Sequence, residues 1–192
     1  VNMKYKNFNI KQGILKSDKN ILFINSPNYS KRDIKDKIQI LVIHCISLPK
    51  NNYSNYYVEQ FFRNYLPCNL PDAIKELKSV KVSAHLYIKR TGKVIQFINF
   101  NNKAWHAGES NFKELSNIND YSIGIELEGA DNDKYTQAQY DSLIKLTKSI
   151  MRVYPDILLD NIVGHDQIAP NRKTDPGEFF DWEFFKSSLS HH

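Results

Sequence analysis

The chain has 192 residues, of which 41% are hydrophobic and 24% charged, with 7 Gly, 7 Pro and 2 Cys. That composition supports one sizeable core and excludes a disordered, collagen-like or low-complexity chain, a disulfide scaffold and a Cys-rich zinc module. The net charge of +5 is mostly lysine, and the basic residues are scattered, so a solvated surface is favoured over a nucleic-acid site.

The segment from Val1 to Asn7 is polar, without an apolar signal core. A soluble cytoplasmic protein with free thiols at Cys45 and Cys68 is expected. Residues 1–37 hold short apolar clusters, such as Ile21 to Ile24, ended by the turn signal Asn25-Ser26-Pro27-Asn28. Residues 38–46 form a continuous β-branched run, too short for a bilayer and interrupted by His44. The run predicts a central strand buried on both faces. A helix is predicted over 54–66, capped by Ser54, with Val58, Phe61, Phe62 and Tyr65 on its apolar face and Pro67 as its stop.

Residues 82–89 and 94–98 read as a hairpin around Arg90-Thr91-Gly92-Lys93. Residues 121–128 alternate as a strand. Residues 137–154 read as a helix with a Thr136/Gln139 capping box and a stripe through Tyr140, Leu143, Ile144, Thr147, Ile150 and Tyr154. A short strand over 161–164 and a terminal helix over 181–189 complete the pattern, and His191 and His192 are expected to fray. The expected fold is α/β (α+β), a central mixed sheet flanked by helices, as a single domain over 1–192.

Four histidines remain for chemistry. His44 sits at the end of the central strand, where such sheets build sites. His165 opens the densest polar segment, Gly164 to Gly177, which also holds Asp166, Asp175 and the pair Arg172-Lys173. Such a segment is either an ordinary loop or a source of metal ligands and a cation. A catalytic zinc takes three protein ligands and leaves one position for water, and His44, His165 and Asp175 fit that number. Alternation turns Cys45 away from His44. On the strand 121–128, alternation sets Ile123, Ile125 and Leu127 against Gly124, Glu126 and Glu128. Either carboxylate is a candidate base there.

The segments LVIHCISLP, KVSAH, AWHAG, YSIGIELEG and GHDQIAPNRKTDPG, in this order and spacing, resemble the AmpD-type N-acetylmuramoyl-L-alanine amidases, relatives of the peptidoglycan-recognition fold. The resemblance covers about residues 38–186. It implies a zinc amidase with His44, His165 and Asp175 as metal ligands, Glu126 as the base and Lys173 as the cation that stabilises the transition state. It also implies an anhydromuropeptide substrate, cleaved between the lactyl group and L-alanine in peptidoglycan recycling. Lys81, His85 and Trp105 are the expected substrate contacts. For His85 the alternative is simple strand packing, and for Trp105-His106 it is a core aromatic with a satisfied neighbour. A monomer is expected, with neither nucleic acid nor membrane as partner. Departures are Cys45 where the pattern has Asn, Lys81 where it has Arg, and Asn117 where a basic residue is expected. A non-catalytic peptidoglycan-binding module of the same fold is the alternative function; it would lack a ligand or the base, and here each position is filled.

Overall fold

The β-branched run forms the strand it predicts, β2 (Ile40–Ile46). The computed structural model describes residues 8–16, 19–33 and 35–190, so His191 and His192, expected to fray, lie outside the described residues. The main sheet has six strands. These are β1 (Ile21–Phe23), β2, β3 (Leu86–Ile88), β4 (Val94–Gln96), β5 (Ser122–Glu128) and β6 (Ile162–Gly164). Their order is β6-β2-β5-β3-β4-β1. Every neighbouring pair is parallel except the β3–β4 hairpin, so the sheet is mixed, as expected.

β2 and β5 pair from Ile40↔Ser122 to Ile46↔Glu128, which sets Glu126 directly opposite His44. Side chains paired across a ladder project from the same face. The residues between them, Ile123, Ile125 and Leu127 with Leu41 and Ile43, point the other way. They enter a core closed by α2 (Gln137–Val153) and α4 (Trp182–Ser190). α2 begins on the predicted capping box: the Thr136 hydroxyl accepts from the Gln139 N–H, and the Gln139 side chain accepts from the Thr136 N–H. It presents Leu143, Ile144 and Ile150 to the sheet, each burial contributing about 1.5–3 kcal/mol.

The opposite face carries two smaller clusters. One packs Val58, Phe61 and Phe62 of α1 (Tyr57–Phe62) on Tyr87 and Ile95. The other packs Ile168 of α3 (His165–Ile168) on Ile40, Val42 and Val163. On β2, Val42 belongs to the second cluster and Ile46 packs on the first, which leaves His44 between them.

The helix predicted over 54–66 shrinks to α1. Ser54 (φ +62°) and Asn64 (φ +61°) adopt left-handed backbone, which helical residues cannot share, so the helix is confined between them. Ser54 is no cap, and Tyr65, assigned to the apolar face, is 70% exposed. Residues before 38 add β1 at the sheet edge and a strand Tyr29–Lys31 paired with Asn102–Ala104. Among the described residues no helix is long and apolar enough to cross a membrane.

Candidate active site

Three elements deliver three ligand groups to one point. β2 supplies His44 near its C-terminal end, α3 opens on His165 immediately after β6, and the loop beyond α3 returns Asp175. That loop is closed by the Asp166 N–H donating to the Asp175 carbonyl at 3.0 Å. His44 Nδ1 and His165 Nδ1 are 3.0 Å apart, and each lies 3.1 Å from Asp175 Oδ2. Ligands of a tetrahedral ion with bonds of about 2.0–2.1 Å stand about 3.3–3.4 Å apart, so this near-equilateral triangle has the size of a metal site.

The proton inventory points the same way. His165 Nε2 lies 3.1 Å from the Ala107 carbonyl oxygen, which only accepts, so Nε2 donates there and Nδ1 is the nitrogen turned to Asp175. A cation shared by that nitrogen and the Asp175 carboxylate would serve both. Burial lowers the His44 pKa to about 4, with Asp175 opposing, so its ring is neutral at pH 7, as a ligand must be. Burial also disfavours the Asp175 charge, yet the adjoining rings of His165 and His44 more than offset this and hold it below the usual carboxylate range. The donor set fits a zinc ion.

Glu126 is 9% exposed, and its Oε2 is buried without a hydrogen-bond partner among the described residues. Burial, reinforced by Asp175 and opposed by Lys173, raises its pKa well above the ordinary value. Lys173 is exposed on the 165–177 loop and near enough to act electrostatically on both Glu126 and His44. Glu128 differs: Oε1 accepts the Ser54 N–H at 2.7 Å and Oε2 the Arg90 N–H at 2.8 Å.

Two cavities, of about 360 and 340 Å³, share Arg172 and Lys173. The first is bordered by Lys50, Asp131, Thr174 and Asp175, the second by Lys81, Trp105, Asn119 and His165. Lys81 and Trp105 therefore open on the site, and the Trp105 ring is fixed by Nε1–H donating to Ser30 Oγ at 2.9 Å. His85 does not. It is fully buried, Nδ1 accepting from the Gly124 N–H at 3.0 Å and Nε2 donating to the Asn102 carbonyl at 2.9 Å. The expectation that it lines the groove is corrected: both nitrogens are committed to the backbone, and the packing alternative holds. Cys45 packs against the α2-side core, outside the ligand triangle, with its thiol raised to about 12 by burial.

Sequence reasoning gave Arg32 no role and noted Arg172 only as the neighbour of Lys173. Arg32 donates to the carbonyls of Phe100, Asn119, Asp120 and Ser122. Arg172 donates to those of Ala107 and Glu109 at 2.7 and 2.6 Å. The one available signal was arginine's scarcity in a lysine-rich chain, since a guanidinium fork serves several carbonyls where an ammonium does not.

The family model described as N-acetylmuramoyl-L-alanine amidase matches residues 34–178. A Haemophilus influenzae protein named 1,6-anhydro-N-acetylmuramyl-L-alanine amidase AmpD is 48% identical over 166 residues, 86% of this chain and 90% of its own. The crystal structure of a selenomethionine AmpD derivative matches with a TM-score of 0.88 at 37% identity, over 94% of this chain and 99% of that one. AmpDH3 from Pseudomonas aeruginosa, solved in complex with anhydromuramic pentapeptide, matches with a TM-score of 0.59 at 26% identity, over 86% of this chain and 65% of that one. The matched stretch contains the two central strands, the ligand triangle and Glu126: the chain belongs to the N-acetylmuramoyl-L-alanine amidase family.

Proposed function

We propose that this amidase is zinc-dependent and cleaves the bond joining the lactyl group of 1,6-anhydro-N-acetylmuramic acid to L-alanine in recycled muropeptides. The observation that carries the reading is the convergence of His44, His165 and Asp175 at 3.0–3.1 Å beside the unpartnered oxygen of Glu126. The names of the relatives support the substrate. His44, His165 and Asp175 would hold a zinc ion, which when bound would supply water activation and Lewis-acid polarisation of the scissile carbonyl.

Glu126 takes a proton from the attacking water and gives it to the alanine nitrogen as the C–N bond breaks, leaving a lactyl carboxyl group and a free amine. Its raised pKa suits a carboxylate that must carry a proton between two partners. Lys173 places a point charge against the developing oxyanion. Trp105 and Lys81, in the second cavity, hold the sugar ring by stacking and an anionic group of the substrate by charge. Soluble fragments as substrate go with a cytoplasmic, monomeric enzyme.

The test measures zinc per chain and release of the L-Ala peptide from anhydromuropeptide, with intact sacculi as control. One zinc per chain is expected, with both metal and turnover lost in Asp175→Ala. Full activity after exhaustive chelation removes the metal from the reading. Sacculi cleaved as fast as the soluble fragment remove the substrate.

A further inference from the structure

We infer that two consecutive residues, His106 and Ala107, position both histidine ligands, His106 through its ring and Ala107 through its carbonyl. The inference rests on the metal site proposed above.

Proton directions follow from one serine. Ser122 Oγ lies 2.7 Å from the Ile118 carbonyl oxygen, which only accepts, so the hydroxyl proton goes there. Oγ also lies 3.0 Å from His106 Nε2 and has only lone pairs left to offer, so His106 Nε2 donates. The His106 ring is 9% exposed, and its other close neighbours are the rings of His44 and His85, none of them anionic, so the ring carries a single proton. Its Nδ1 is then an acceptor. It stands 2.8 Å from His44 Nε2, which donates, and His44 Nδ1 is left bare toward Asp175 and His165. Next along the chain, the Ala107 carbonyl accepts from His165 Nε2 at 3.1 Å and from Arg172 at 2.7 Å.

The pair is itself clamped. Asn119 Oδ1 accepts the backbone N–H of His106 at 3.1 Å and of Ala107 at 2.9 Å. The His106 ring lies flush on β5 at Gly124, where a Cβ would come within 2.5–2.7 Å of three ring atoms. That contact explains the one glycine of the strand Ser122–Glu128. Both imidazoles are thus oriented by two consecutive residues before any ion arrives. Partners of this kind are typically worth about 10–100-fold in metal affinity.

The experiment uses the full chain and zinc itself. Zinc affinity is read by competition with a chromophoric chelator, and folding by circular dichroism. Long-range 1H–15N spectra of the zinc-loaded protein report the ring protons. A wild-type chain that takes up no zinc overturns the site reading and this inference with it. Given zinc in the wild type, His106→Leu is expected to weaken binding about 10–100-fold, Ser122→Ala by less, and His106→Asn, whose amide oxygen replaces the Nδ1 acceptor, to recover most of the loss. His44, His106 and His165 should all carry their proton on Nε2. Unchanged affinity in a folded His106→Leu, or a proton on His106 Nδ1, overturns the positioning role while the site reading stands. Should His106→Leu not fold, Ser122→Ala decides: weaker zinc supports the role and unchanged zinc overturns it.

Discussion

Glu126 and Glu128 leave β5 on the same face, two residues apart, and meet opposite surroundings. Around Glu128 both carboxylate oxygens take a backbone N–H, so the side chain ties the segment before α1 and the turn after β3 to the sheet. Around Glu126 one oxygen is buried without a partner, beside Asp175 and within reach of the Lys173 charge. Burial does not separate them, at 9% and 3% exposure. Completeness of pairing does. A buried group with every position filled is structural, and one left incomplete in a site is held ready for a partner that comes and goes. His85 belongs with Glu128 by the same test, since both of its nitrogens are used.

The largest expected effect lies at Glu126. Glu126→Gln should lower kcat by about 10²–10⁴-fold while zinc content, measured by mass spectrometry, stays at the wild-type level. Loss of zinc in that variant would make Glu126 a ligand and dissolve the contrast. Lys173→Ala should cost about 10²–10³-fold in kcat, again with zinc retained; a change confined to KM would move Lys173 to substrate binding. Glu128→Gln sharpens the contrast from the other side. The new amide turns a donor toward one of the two N–H groups, so urea denaturation should show a loss of about 1–3 kcal/mol with kcat maintained. Normal stability with lost turnover would exchange the roles of the two acids.

The smallest effect is a pH dependence. Burial, with the Arg32 charge adding to it, lowers the His85 pKa to about 3, against about 6.5 in an unfolded chain. Between those values the unfolded chain binds a proton that the folded one refuses. Stability contributed by this group is therefore full above pH 6.5 and falls as the pH drops, by at most about 1.4 kcal/mol per unit. The slope of unfolding free energy between pH 5 and 7 should be shallower in His85→Gln than in the wild type. Equal slopes would mean that His85 is not held neutral by the fold.

Much of this was readable in the chain because its signals are local. The run at 38–46, the alternation at 121–128 and the Thr136/Gln139 box each carry their own periodicity or cap, and each formed the element expected. The ligand triangle was readable because two histidines and an aspartate stand at strand ends and in a polar loop. What stayed hidden depends on contacts between distant segments. Nothing near Glu128 in sequence reveals that Ser54 and Arg90 fill its oxygens. Nothing in KVSAH reveals that His85 turns toward the Gly124 and Asn102 backbone rather than outward. The helix before Pro67 failed for a conformational reason, the left-handed Ser54 and Asn64, which side-chain periodicity does not report.

The seven register pairs between β2 and β5 have a bearing on how the site opens. Every other neighbouring pair in the sheet has three, so this ladder is the last to part. Its amides should exchange with solvent only when the whole molecule unfolds, whereas those of the exposed 170–174 stretch should exchange through local opening. His44 and Glu126 stay together on the slow ladder while Asp175 rides at the end of the fast loop. On the proposed metal reading, an ion would leave and return through the loop's fluctuations without parting the ladder that carries His44 and Glu126.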